Sequence, residues 1–162
     1  MYNIDFGSDN KRENDNKKLN ILIVDDDINS GESLRDLIKI RGHDVVLIDE
    51  GMKCINRCYE NTFDIIFMDY HINDPVDNMN GNEITKLIRE CFDINTSIYA
   101  YTGDNSNKAL EEFKNNKLNG VFIKPVSPML INEFFEIIEL KYNISKLSKL
   151  ARKNKSFIVF KK

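Results

Sequence analysis

No apolar run in this chain reaches the roughly 18 residues that cross a bilayer, so no segment reads as a transmembrane helix. Residues 1–18 are poorer still in hydrophobicity. Asn, Asp and Lys dominate them and no apolar core follows the charges, so they read as a disordered N-terminal tail, neither signal peptide nor anchor. Cysteine is sparse and odd in number, three in 162 residues. That count argues against a disulfide framework and for a reducing, cytoplasmic setting. No internal repeat is present. Acid is missing from residues 142–162, which carry Lys146, Lys149, Arg152, Lys153, Lys155, Lys161 and Lys162. The rest of the chain keeps 16 cations against 26 acids, a charge of −10. A basic extension on an acidic body can bind nucleic acid or an acidic partner surface. The simpler reading is a solvated segment that folds back on its own acidic domain.

What is there is enough for one domain with a core of its own: 162 residues, 41% of them hydrophobic. From Asn20 onward, short runs rich in β-branched and aromatic residues cover 20–25, 44–48, 63–68, 96–101 and 120–123. The first and third are too apolar to face water on either side, as buried parallel strands are. Between the runs, apolar residues recur at helical spacing. Examples are Leu34, Leu37 and Ile38, then Ile84, Leu87, Ile88 and Cys91, then Leu130, Ile131, Phe134, Phe135 and Ile138. Five βα units in succession predict an α/β fold, a doubly wound five-stranded parallel sheet with helices on both faces.

The strand ends carry the chemistry. Ile21 to Val24 runs into Asp25, Asp26 and Asp27, and Phe63 to Met68 runs into Asp69. Open α/β sheets bind ligands outside the carboxyl ends of their strands, so these acids predict an acidic pocket there. Two carboxylates about 4 Å apart repel by roughly 1 kcal/mol in water and about 4 kcal/mol at an effective dielectric of 20. Such a cluster holds a proton or a cation. Oxygen-only ligands at a solvent-facing crevice suit a hard ion, Mg²⁺ first among them. The fourth strand delivers Thr102, before Gly103, to the same edge, and the fifth delivers Lys124, before Pro125. Acids, a hydroxyl and an ammonium together suit a phosphoryl group held on a carboxylate.

The order Val24-Asp25-Asp26, Met68-Asp69, Thr102-Gly103, Lys124-Pro125 resembles the receiver domain of two-component response regulators over residues 19–141. The resemblance implies the flavodoxin-like (βα)5 receiver fold. It also implies that Asp69 accepts a phosphoryl group from a phosphohistidine on a histidine kinase or histidine phosphotransfer protein. Asp26 would bind Mg²⁺ directly and Asp25 through water, with Asp69 and the backbone carbonyl of His71 as the remaining protein ligands. Thr102 and Lys124 would contact the phosphoryl oxygens, and the Lys124–Pro125 bond would be cis. His71 and Asp104 would flank the site where side chains tune dephosphorylation.

Two departures stand out. Eleven residues separate Asp69 from Gly81, a longer loop than is usual for that family, beside the site and the partner-docking surface. The position three before the lysine, often an aromatic switch, is Val121, although Phe122 and Tyr101 stand nearby.

Other polar residues have simpler readings. Asp27 reads as a helix N-cap for a helix starting near Asn29. Cys54 and Cys58, at i and i+4 with no second pair, read as buried thiols rather than a metal site. His43 reads as structural, and the ring of His71 as a surface-loop group. The helix over 129–141 is apolar on more than one face. It serves either as a plain core helix or also as a docking or homodimer face. Ile144, Leu147 and Leu150 continue a stripe that extends this helix past Tyr142. Phe157 to Phe160 read as a late strand for a sheet edge or a partner chain.

Taken together, the expected function is a stand-alone, Mg²⁺-dependent receiver that catalyses only its own phosphorylation and dephosphorylation and switches binding to an effector the sequence does not name. Binding of nucleic acid by the basic extension is a weaker variant, and a membrane partner is not expected. The competing readings are a Mg²⁺-dependent phosphohydrolase on a similar fold, a phosphorylation-independent scaffold, and a receiver segment of a hybrid histidine kinase.

Overall fold

A computed structural model describes residues 17–72, 78–92, 95–141 and 143–160. Most of the expected N-terminal tail, residues 73–77 of the long loop, and Lys161 and Lys162 lie outside the described residues. The elements run β1 (Asn20–Val24), α1 (Ile28–Ile40), β2 (Asp44–Ile48), α2 (Gly51–Glu60), β3 (Ile65–Met68) and α3 (Gly81–Phe92). They continue β4 (Ser97–Thr102), α4 (Asn107–Asn115), β5 (Gly120–Ile123), α5 (Pro128–Glu139), α6 (Ile144–Lys153) and β6 (Phe157–Val159). The sheet order is β2-β1-β3-β4-β5-β6; β1 to β5 pair in parallel and β6 lies antiparallel on β5. The chain passes from β1 out to β2 and then crosses to β3 on the other side of β1. That reversal leaves a crevice at the carboxyl ends of β1 and β3.

Strand alternation divides the core in two. Ile21, Ile23, Ile65, Phe67, Tyr99 and Phe122 face α1, α5 and α6, while Leu22, Val24, Ile66, Met68, Ile98 and Val121 face α2, α3 and α4. Asp27 caps α1, accepting from the amides of Asn29 and Ser30, a contact worth about 0.5–2 kcal/mol. Ser106, Ser127 and Asn143 cap α4, α5 and α6 in the same way.

The C-terminal extension bears out one expectation and corrects another. The residues from Phe157 that read as a late strand do join the sheet edge, as a sixth strand beside the five parallel ones, because Phe157 is buried and its ring stacks on Phe122 at 4.5 Å, edge-on to Phe134 at 5.8 Å. Burying one such ring stabilises by roughly 1.5–3 kcal/mol, enough to hold a three-residue strand. In contrast to the expectation, α5 does not run on past Tyr142. It ends at Glu139, Lys141 turns the chain with φ at 90°, and α6 starts afresh behind Asn143. Leu147 and Leu150 of α6 then pack into the core that α5 lines, covering part of the apolar surplus of that helix.

His43 is structural, as its place at the start of β2 suggested. It is buried, its Nδ1 accepts from the Leu19 amide at 3.3 Å, and its Nε2 lies 2.9 Å from Glu139. Arg41 grips the same carboxylate with two contacts of 2.9 and 2.7 Å. The ends of α1 and α5 are joined there, away from the acidic crevice. Cys54 and Cys58 are free, buried thiols. No described helix is long and apolar enough to cross a membrane.

Candidate functional site

The alternation that sorts the core also assembles the site. Asp25, Asp69, Tyr101 and Lys124 each extend the strand row that faces α1 and α5, so four strands deliver them to one side of the crevice. Asp25, Asp26 and Asp69 each place a carboxylate oxygen within 4.8 Å of the others. Asp25 and Asp69 are buried, at 1% and 7% exposure, and Asp26 is half-buried. Lys124 bridges them, its Nζ 2.8 Å from both Asp25 Oδ2 and Asp69 Oδ2 and 4.7 Å from the centre of the Tyr101 ring. The Lys124–Pro125 bond is cis.

Burial raises the Asp25 carboxyl above its ordinary value, against the pull of Lys124. Burial works against the Lys124 ammonium too, but its hydrogen bonds to Asp25 and Asp69 outweigh that and lift it above the ordinary lysine value. The crevice is thus an over-acidic pocket that holds a cation in place, here the protein's own.

The backbone around the acids is tightly fixed. The amide of Asp69 donates to Val24 O at 2.9 Å and that of Asp25 to Ile48 O at 3.0 Å. The amides of Asp27 and His71 donate to Asp25 Oδ1 and Asp69 Oδ1, at 3.0 and 3.3 Å. Gly81, the first residue of α3, sits directly on the Asp69 carbonyl, and a Cβ there would collide with it. No other residue type fits.

Thr102 ends β4, fully buried, with its hydroxyl accepting from the Asp104 amide at 3.2 Å. By strand alternation it extends the opposite row from Asp69. The ring of His71 is mostly exposed and pairs with Asp104 at 3.3 Å. Its amide is engaged at the site through Asp69. Val121 is fully buried beneath α4, while Phe122 belongs to the other core.

Sequence reasoning missed two features. Lys124 joins both acids in the unmodified protein, where a phosphoryl contact was expected. The second is a polar chain that leads away from the site. Tyr70 donates to Glu112 Oε2 at 2.7 Å, Asn82 Nδ2 reaches the same oxygen at 3.3 Å, and Asn116 donates to Asn82 at 2.6 Å. Strand alternation held a signal for it, since the residue after Asp69 must point toward α4.

The acid-acid-lysine geometry is matched by sequence. The family model for the response regulator receiver domain fits residues 21–136. The chain belongs to the response regulator receiver domain family. This receiver is 28% identical over 123 residues to the Autoinducer 2 sensor kinase/phosphatase LuxQ of Vibrio vulnificus, covering 76% of this chain and 14% of that protein. It is 31% identical over 116 residues to the CAI-1 autoinducer sensor kinase/phosphatase CqsS of Vibrio cholerae, covering 70% and 16%. The receiver therefore spans less than a fifth of those relatives. Among solved structures, the chemotaxis response regulator CheY4 of Vibrio cholerae superposes with a TM-score of 0.66 at 24% identity, over 75% of this chain and 98% of that one. A two-component response regulator from Clostridium difficile gives 0.69 at 21%, over 78% and 99%. These structures share the fold, and the family match makes the chain a receiver domain of two-component signalling.

Proposed function

We propose that this receiver is a phosphorylation switch in which Asp69 accepts a phosphoryl group from a phosphohistidine of a histidine kinase or phosphotransfer protein. The observation that carries the reading is the Lys124 ammonium held 2.8 Å from both Asp25 and Asp69 at the rim where three carboxylates meet. A carboxylate oxygen of Asp69 attacks phosphorus. The phosphorus–nitrogen bond to the donor histidine breaks, its electron pair stays with the imidazole, and an acyl phosphate forms.

The oxygen-only donor set suits a hard divalent ion. Asp26, Asp69, the backbone carbonyl of His71 and, through water, Asp25 would hold Mg²⁺, which when bound supplies charge to balance the phosphoryl oxygens. Lys124 gives up part of its contact with Asp69 and follows the new negative charge. Thr102, whose oxygen already accepts from Asp104, turns its own proton toward a phosphoryl oxygen. His71 and Asp104, paired at the rim, stand where they govern the approach of hydrolytic water. The chain acts on itself alone, and its output is a changed affinity for an effector.

Incubation with Mg²⁺ and acetyl phosphate tests this. A base-labile phosphoryl adduct approaching one per chain is expected, absent in Asp69→Asn. Steady release of phosphate with little adduct would mean a phosphohydrolase instead, and no labelling at all would leave only a scaffold. A second reading draws on the curated relatives, two of which are sensor kinase/phosphatases of which this chain matches 14–16%. It makes the chain the receiver segment of a hybrid kinase. An immunoblot of the source cells separates the two, by a band at the mass of this chain or at that of a much larger protein.

A further inference from the structure

The sheet ends at β6, and that end is equipped to take another strand. The amide of Ile123 donates to Ser156 O at 2.8 Å and the amide of Phe160 to Asn119 O at 2.9 Å, with Ile158 opposite Val121 between them. Residues 156, 158 and 160 therefore turn their backbone groups toward β5. By the alternation of an antiparallel ladder, Val159 turns its N–H and C=O outward, where among the described residues no strand meets them. Gly120 allows this close seat, because a Cβ there would strike the Ile158 carbonyl oxygen.

Along that open edge runs a groove of about 460 Å³ between β6 and α6, lined by Ser148, Ala151, Arg152 and residues Phe157 to Val159. Its walls are apolar apart from Arg152 and Ser148, and the Ser148 hydroxyl is buried without a hydrogen-bond partner among the described residues. Arg152 stands exposed at its lip, Lys149, Lys153 and Lys155 of the same segment are exposed too, and no acid occurs anywhere from Tyr142 to Lys162. An unpaired strand edge, an apolar trough beside it and a segment of one charge are the parts of a strand-addition site.

We propose that β6 and α6 bind an extended, acidic segment of a partner protein, which adds to β6 as a seventh strand. Its backbone pairs with Val159, its apolar side chains enter the trough, and its carboxylates meet Arg152 and the neighbouring lysines. A second copy of this chain fits poorly, because joining two β6 edges would bring two acid-free basic segments together. Nucleic acid would satisfy the cations but neither the strand edge nor the apolar trough.

The test uses the full chain and a capped, fluorescein-labelled peptide of alternating Val and Glu. Saturable binding by anisotropy is expected, with slowed hydrogen exchange at the Val159 amide. The Val159→Pro variant removes the outward donor along with the valine side chain, and Arg152→Glu reverses the charge at the lip. Each is expected to weaken binding by roughly tenfold, while circular dichroism and labelling by acetyl phosphate stay unchanged. Four results would overturn the proposal: no saturable binding, equal binding of the matching Val-Lys peptide, equal binding of a polyglutamate lacking valine, or binding untouched by Val159→Pro. Duplex DNA that displaces the peptide through Arg152 would assign the surface to nucleic acid. A dimer that Val159→Pro dissolves would assign it to a second copy.

Discussion

The Tyr70 hydroxyl donates a hydrogen bond to Glu112 across 2.7 Å, so the residue that follows Asp69 in the chain is bound directly to α4. Where an aromatic at position 121 is missing, this bond links the acidic crevice to a helix on the far core.

The same bond has a titration signature. The hydrogen bond to Glu112, followed by burial, raises the Tyr70 phenol to about 12. A phenol raised in the folded state contributes stability that is complete below the ordinary tyrosine value of about 10. That contribution is lost as pH climbs through the higher value. Burial raises Tyr101 as well, so ultraviolet titration should show more than one tyrosine ionising late, Tyr70 among them. Tyr70→Phe should delete the Tyr70 component and Glu112→Gln should bring it down toward the others. A titration unchanged in Glu112→Gln would contradict the link.

Glu139 ties Arg41 and His43 together at the opposite end of the sheet, with only 6% of its side chain exposed. Burial alone would raise its carboxyl, but Arg41 and then His43 more than reverse this and hold it below the ordinary glutamate value. A depressed carboxyl contributes stability above its unfolded value and loses it as pH falls through the folded one. Glu139→Gln is expected to cost about 3 kcal/mol at neutral pH, since it strips a partly buried guanidinium of its charge partner. The gap between variant and parent should narrow in acid, as urea unfolding at pH 7 and pH 3 would record.

Gly81→Ala places a methyl group against the Asp69 carbonyl. The backbone of α3 or of Asp69 must give way, so both thermal stability and the rate of labelling by acetyl phosphate should fall. Labelling at the parent rate would show that the acceptor does not depend on this contact.

Mg²⁺ should stabilise the protein by mass action, by about 2.7 kcal/mol at a hundredfold excess over its dissociation constant. Asp26→Asn should abolish that gain while leaving the ion-free melting temperature close to the parent's or above it, because one of three crowded carboxylates has lost its charge. A Mg²⁺-dependent rise that survives the substitution would place the ion elsewhere.

Much of this was legible in the amino-acid order because strands buried on both faces must be apolar throughout, and such runs are conspicuous. Ile21–Val24 and Ile65–Met68 announce their own ends, and an acid after each can only lie at the sheet's carboxyl edge. Period-two alternation then decides which end residues share a side. That is why Asp25, Asp69 and Lys124 meet although the lysine is 99 and 55 positions away from them. The first five helices followed from their spacing, and Asp27 from its place before one.

Local pattern determined the five parallel strands, their order of chemistry and the acidic rim, since each depends on residues a few positions apart. Tertiary structure decided what depends on distant groups finding one another. Phe157 makes a strand of its neighbours only because Phe122 and Phe134 are there to receive its ring. Tyr70 reaches α4 only because Glu112, 42 residues on, borders the same core. His43 is satisfied only by Leu19 and Glu139 together. Such contacts carry no periodic trace along the chain, because their free energy comes from burial and pairing that exist only once the chain is packed.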